Sequence, residues 1–144
     1  MRDIAAVIGL ASPGNRQWLA GHGVIPVGYG DGAADRIRAA APGGVDAVID
    51  TYGGGYVELA LALGVAAGRI DTIADYAAAA KYGVKTDGGT AAGPGAKVLA
   101  ELAGLIADGH LEVPIASVYP LAQVREAYTE LERRHTRGKI VLRP

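Results

Sequence analysis

The sequence predicts an α/β protein built on a doubly wound parallel sheet. Short apolar, β-branched segments alternate with helical segments through the first 75 residues, and the connections between them are short. This alternation is typical of a parallel sheet with helices on both faces, because parallel strands need a crossover connection. The chain has 144 residues, of which 50% are hydrophobic, so it is long enough to form the core of such a domain.

Four strands are expected in the first half of the chain, at residues 4–10, 24–29, 45–49 and 69–74. The first helix is expected to begin with Ser12 as its N-cap and Pro13 in its first turn. Asp31 is the expected cap of the second helix, and a third helix is expected over residues 56–67.

The second half is patterned more weakly. Residues 82–87 are expected to form a short exposed strand, and the glycine-rich residues 88–95 are expected to form a loop. Residues 96–108 carry a single apolar helical stripe. The remaining elements are a strand at 113–119, a helix after Pro120 and a terminal strand at 138–142.

Composition argues against several classes of partner. The net charge of −1 gives no global field that would attract nucleic acid or a membrane surface. No apolar run approaches the roughly 20 residues of a membrane span, so we expect a cytoplasmic protein. The chain has no cysteine and its three histidines are far apart, so we expect no metal site.

Ligands of doubly wound sheets bind where strands end and helices begin. After the first strand the chain offers Ser12, Asn15 and Arg16, with no acid beside them. A hydroxyl, an amide and a guanidinium suit a phosphate dianion, whereas an acid there would favour the 2′-hydroxyl of NAD. This favours NADP. The alternative, that Ser12 only caps the helix and Arg16 is only solvated, stays open from the residues alone.

Neither glycine run in the chain completes the GxGxxG pattern that holds a pyrophosphate. Gly53–Gly55 follows Asp50, where glycines either let a ligand approach the backbone or simply form a turn. The aspartates at the strand ends offer no evident acid–base pair. No catalytic residue is therefore expected within the chain.

Three stretches together resemble the C-terminal half of the medium-chain dehydrogenase/reductase superfamily, in its quinone-oxidoreductase-like and zinc-type alcohol-dehydrogenase-like branch. They are VIGLASPGNRQWLAGHGVIPVGYGD (7–31), GGVDAVIDTYGGGYVELALALGVAAGRIDTIAD (43–75) and KVLAELAGLIADGHLEVPIASVYPLAQVREAYTELERRHTRGKIVLRP (97–144). Each motif alone is weak, but their order is specific, and the match covers nearly the whole chain.

The resemblance implies a Rossmann-like domain truncated at its N-terminus, without the family's first strand and glycine-rich turn. Residues 1–112 would form the partial NADP(H)-binding domain. Residues 113–144 would form a strand–helix–strand that joins the catalytic domain of full-length members. That catalytic domain, which carries the substrate pocket, would lie outside this chain.

The resemblance also implies which residues contact NADP(H). Ser12, Asn15 and Arg16 would lie around the 2′-phosphate, and Thr51 and Gly53 would line the cofactor cleft. Ile73 and Ala74 would lie near the nicotinamide, and Lys139, in the terminal "GK", would approach the cofactor.

The implied function is the cofactor-binding part of an NADP(H)-dependent oxidoreductase that acts on a small carbonyl, quinone, enone or alcohol. The alternative is a non-enzymatic remnant that serves as a dimerisation or nucleotide-binding module. Two partners are implied: a second copy, paired through an edge strand at Gly83–Asp87, and a separate N-terminal catalytic half.

Overall fold

The computed structural model describes residues 6–89, 95–133 and 136–144. Two compact units are present, residues 1–93 and residues 94–144. The expected division at residues 112 and 113 concerns the domain that each segment would join in a full-length family member, and it stays a prediction.

The first unit alternates strands with helices, as the sequence predicts. Its strands are β1 (Ile8–Leu10), β2 (Ile25–Val27), β3 (Val48–Asp50) and β4 (Ile70–Thr72). Its helices are α1 (Arg16–Gly21), α2 (Ala33–Ala40), α3 (Tyr56–Ala62) and α4 (Tyr76–Tyr82). All pairing is parallel, β1 with β2 and β3 with β4, which confirms the α/β class. Within the described residues the strands form two-stranded sheets and no continuous larger one.

Helix starts in the first unit differ from expectation in two places. Ser12 does precede a short 3-10 turn at Pro13–Asn15, but its side chain makes no capping hydrogen bond. The prediction that Asp31 caps α2 is wrong, because the N-cap residue is Gly32. Gly32 has a φ of 74°, a left-handed conformation that glycine adopts without steric cost.

The core of the first unit lies between β4 and the helices α3 and α4. Val57 and Ile70 are completely buried, and burying a side chain of this size contributes about 1.5–3 kcal/mol. The other buried members are small: Ala60, Val65, Ala78, Ala79 and Val84. Their size allows the helices to pack close to the strand.

The segment expected as an exposed strand at 82–87 is reduced to one parallel bridge between Lys85 and Asp71. The Lys85 N–H donates to the Ile70 carbonyl, and the Lys85 carbonyl accepts from Thr72. Val84 is 8% exposed and belongs to the core, so the expectation of exposure is wrong at that position. Of the loop expected at 88–95, residues 90–94 lie outside the described part of the chain.

The second unit contains α5 (Ala96–Ala107), β5 (Ile115–Pro120), α6 (Val124–Glu132) and β6 (Lys139–Arg143). Strands β5 and β6 pair in parallel. Helix α6 buries Ala127, and its Glu130 carboxylate accepts hydrogen bonds from the hydroxyls of Ser117 and Tyr119 on β5. No residue of α5 is buried, although the sequence gives this helix an apolar stripe.

Candidate functional site

The ends of β3 and β4 are joined by a buried pair, Asp50 and Thr72. The two residues are direct partners in the parallel register, so their side chains lie on the same face of the sheet. The Thr72 hydroxyl donates to Asp50 Oδ2 at 2.8 Å, and Asp50 Oδ1 accepts from the N–H groups of Tyr52 and Gly53. Thr72 Oγ1 also accepts from the N–H groups of Ala74 and Asp75.

This network fixes the two loops that follow β3 and β4. Burial of the Asp50 carboxyl opposes its ionisation, but the hydrogen bonds from Gly53, Tyr52 and Thr72 outweigh it, and the pKa of Asp50 is lowered. Asp50 is therefore a carboxylate at neutral pH, and both of its oxygens are engaged. Its chemical role is to hold backbone in place.

The loops after β3 and β4 contact each other and bring together four of the expected cofactor residues. Gly53, Gly54 and Gly55 all have left-handed backbone, with φ values of 82°, 67° and 90°. A Cβ on Gly53 would lie 3.5 Å from the Cβ of Ala74. Thr51 and Ile73 are exposed in these loops, Ile73 by 48%. The geometry thus groups Thr51, Gly53, Ile73 and Ala74.

The residues expected around a 2′-phosphate form a second group, after β1. The Asn15 amide donates to the Ser12 hydroxyl at 3.4 Å. Arg16 is the exposed first residue of α1, and its Nη2 would lie 3.5 Å from a Cβ built on Gly28, at the end of β2. The Ser12 hydroxyl does not cap a helix, and although it accepts from Asn15, its own O–H can donate to a ligand.

Arg36, on α2, is a structural centre that the sequence reading missed. Its guanidinium donates to four successive carbonyls after β2, those of Gly28, Tyr29, Gly30 and Asp31, at 2.8–3.3 Å. The side-chain pattern of the sequence does not predict these contacts, because the acceptors are backbone atoms. The only available signal was an arginine in the first turns of a helix that follows a glycine-rich loop.

Tyr56, which follows the loop after β3, also contacts the loop after β2. It is the first residue of α3, and it hydrogen-bonds the backbone of Gly30 in the loop held by Arg36. Burial raises the pKa of the Tyr56 hydroxyl, and the nearby Tyr52, Tyr29 and Asp50 raise it further. Its ring meets that of Tyr52 edge to face, with the centroids 6.0 Å apart.

Lys139 belongs to the chain's second unit, where it is the first residue of β6. Among the described residues no three side chains of the metal-ligating types form a cluster that could hold an ion. No helix in the part of the chain that the structure describes is long and apolar enough to cross a membrane.

Comparison with known proteins identifies the family. The family model described as zinc-binding dehydrogenase matches residues 22–142. The chain belongs to this family. Solved structures similar to it include an alcohol dehydrogenase and a quinone oxidoreductase. Together with the family model they confirm the resemblance to the medium-chain dehydrogenase/reductase superfamily.

Three solved structures show the extent of the likeness. An NAD-dependent alcohol dehydrogenase has a TM-score of 0.72 and 22% identity, covering 97% of this chain and 44% of its own. The CurK enoyl reductase has a TM-score of 0.69 and 22% identity, covering 96% and 47%. A mycobacterial quinone oxidoreductase has a TM-score of 0.66 and 25% identity, covering 96% and 49%.

This chain of the zinc-binding dehydrogenase family therefore spans less than half the length of each of these three proteins. Their shared architecture is that of the Rossmann-like cofactor-binding half. None of the curated proteins matches the chain.

Proposed function

We propose that the chain is the NADP(H)-binding part of an oxidoreductase that acts on a small carbonyl, quinone, enone or alcohol. The proposal draws on the family, whose solved relatives include an alcohol dehydrogenase, an enoyl reductase and a quinone oxidoreductase. When bound, the nicotinamide supplies the hydride chemistry, and the protein supplies binding and orientation.

The preference for NADP(H) rests on the residues that follow β1. Ser12, Asn15 and Arg16 lie together, and the Ser12 hydroxyl is not used as a helix cap. No hydrogen bond or ion pair of the Arg16 guanidinium is found among the described residues, so it can bind a phosphate without losing an existing partner. No acid adjoins these residues in the sequence to receive a ribose 2′-hydroxyl.

The loops after β3 and β4 complete the proposed cofactor surface. Thr51 and Gly53 line one loop and Ile73 and Ala74 the other, and the Asp50–Thr72 network holds both in place. Gly53 itself is buried with its N–H bound to Asp50, whereas the exposed, left-handed Gly54 and Gly55 present backbone with no side chain in the way. That suits close approach of a ribose or nicotinamide. Lys139, which belongs to the second unit, remains a proposed contact with the cofactor.

The test is a titration of the chain with NADPH and NADH, followed by the fluorescence of Trp18 on α1 and by calorimetry. We expect tighter binding of NADPH. Arg16→Ala should reduce the NADPH/NADH affinity ratio by about tenfold or more, the value of one charge-assisted hydrogen bond. Gln17→Ala, at the adjacent exposed position, is the matched control. An unchanged ratio in Arg16→Ala would remove Arg16 from the site.

A second candidate function, a module that binds a separate polypeptide, is favoured by the strand pairing. Among the described residues β1 pairs only with β2, and β3 has a named partner strand only in β4. Ile49, in the middle of β3, is 78% exposed. Apolar surface and free strand edges of this kind favour the addition of another chain segment. Failure of both nucleotides to bind, with binding restored by a family N-terminal half, would support this candidate.

A further inference from the structure

Two arginines flank the loop after β2, and they are engaged very differently. A Cβ on Gly28 would lie 3.5 Å from Arg16 Nη2 and 3.8 Å from Arg36 Nε. Arg36 donates to the four carbonyls of residues 28–31, whereas no hydrogen bond of the Arg16 side chain occurs in the described part of the chain. Both guanidiniums therefore lie beside Gly28, the first residue of this loop, but only Arg36 is hydrogen-bonded to its carbonyl oxygens.

The difference follows from the positions of the two residues. Arg36 is half-buried on α2, which leads directly out of the loop, so its planar fork reaches the loop's carbonyls. Arg16 is exposed and approaches from α1. Carbonyl oxygens left without a donor would attract the nearest cation, and Arg16 is placed to respond.

We infer that Arg36 is a positioning residue that keeps Arg16 free for the nucleotide phosphate. Arg36 acts by saturating the carbonyls that would otherwise bind Arg16. The inference rests on the proposed function, because it assigns Arg36 an effect on NADPH preference without contact between Arg36 and the nucleotide.

The test compares NADPH and NADH affinities of Arg36→Ala, Arg36→Lys, Arg16→Ala and the Arg16→Ala/Arg36→Ala double variant. We expect each Arg36 variant to reduce the NADPH/NADH ratio about as much as Arg16→Ala, roughly tenfold. The double variant should show no further fall, because both changes remove the same contact. Arg36→Lys should not rescue the ratio, since a single ammonium cannot span four carbonyls.

Arg38 provides the matched control, two residues further along α2. Its guanidinium forms an exposed ion pair with Asp35 at 3.0 Å and has no bond to the loop, so Arg38→Ala should leave the ratio unchanged. If the Arg36 variants weaken NADPH and NADH equally, Arg36 only supports the fold and the inference fails. Additive effects in the double variant would also overturn it.

A second readout needs no nucleotide. In Arg36→Ala the Nε–H signal of Arg16 in nitrogen-15 NMR should shift and exchange more slowly with solvent, because the guanidinium moves onto the vacated carbonyls. An unchanged Arg16 signal refutes the inference even if the wild-type chain binds neither nucleotide. Failure of the wild type to prefer NADPH, with the Arg16 signal moving as expected, refutes the proposed function alone.

Discussion

Replacing Thr72 by valine tests whether the buried pair at the ends of β3 and β4 holds the two loops. Valine keeps the shape of threonine and replaces only the hydroxyl with a methyl group. The threonine hydroxyl donates a hydrogen bond to the Asp50 carboxylate at 2.8 Å. It also accepts hydrogen bonds from the N–H groups of Ala74 and Asp75, at 3.2 and 3.0 Å. Thr72 is completely buried, so water cannot readily replace the hydroxyl.

The expected loss can be worked from these three bonds. A hydrogen bond to a charged group contributes about 1.5–3 kcal/mol, and each N–H left without a partner costs about 1 kcal/mol or more where it is buried. The extra methyl group of valine returns about 1 kcal/mol through apolar burial. We therefore expect Thr72→Val to lower the free energy of unfolding by about 2.5–4 kcal/mol, a large fraction of the stability of an ordinary domain.

The assay is urea unfolding at pH 7, followed by Trp18, which lies in the same unit as Thr72. Thr72→Ser keeps the hydroxyl, loses one methyl group and should cost only about 1 kcal/mol. In an Asp50→Asn/Thr72→Val double-mutant cycle the two changes should be strongly coupled. A valine variant as stable as the serine variant would show that the hydroxyl does not hold the loops.

Three further outcomes are expected. The pKa of Asp50 is lowered on folding, so the stabilisation from its carboxylate is present above the unfolded pKa of about 3.9 and is lost as the pH falls through the folded pKa. The difference in unfolding free energy between wild type and Asp50→Asn, measured by urea unfolding, should therefore shrink from pH 5 to pH 2. The Tyr119 and Ser117 hydroxyls lower the pKa of Glu130 on α6, so Glu130→Gln should speed amide hydrogen exchange across α6 at pH 7, and unchanged exchange would contradict that role. If residues 83–87 pair two copies of the chain, Thr86→Pro should give monomers in sedimentation, whereas a dimer that persists would refute the pairing; Thr86 is exposed, unlike the buried Val84, so its replacement spares the core.

The succession of elements was predictable because it depends on local periodicity. Most strands and helices occur where the apolar segments predicted them, usually shortened by a few residues. Helix α3, for example, was expected to reach residue 67 but ends at Ala62, just before Gly64 takes a φ of 88°. The grouping of Ser12 with Asn15 and Arg16 was equally accessible, since it follows from their positions in one turn.

The contacts that organise the candidate site were not predictable in the same way. Asp50 and Thr72 are 22 residues apart, and they meet only because the register of β3 against β4 sets them side by side. A polar residue in an otherwise apolar strand was a signal of burial with a partner, but the partner depends on register. The role of Arg36 depends on carbonyl directions, which side-chain patterns do not contain.

The three left-handed glycines at 53–55 affect how substitutions in this chain should be interpreted. A residue with a β-carbon costs about 1–2 kcal/mol at each such position, so substitution of all three would consume much of a marginal stability. Selection for folding alone would keep these glycines, whether or not a nucleotide ever binds beside them. Ser12 and Arg16 contribute little bonding to the fold, so their side chains are free to drift once binding no longer matters. Whether cofactor binding has been lost or retained should therefore be judged from Ser12 and Arg16. Retention of the glycines at 53–55 does not distinguish the two cases.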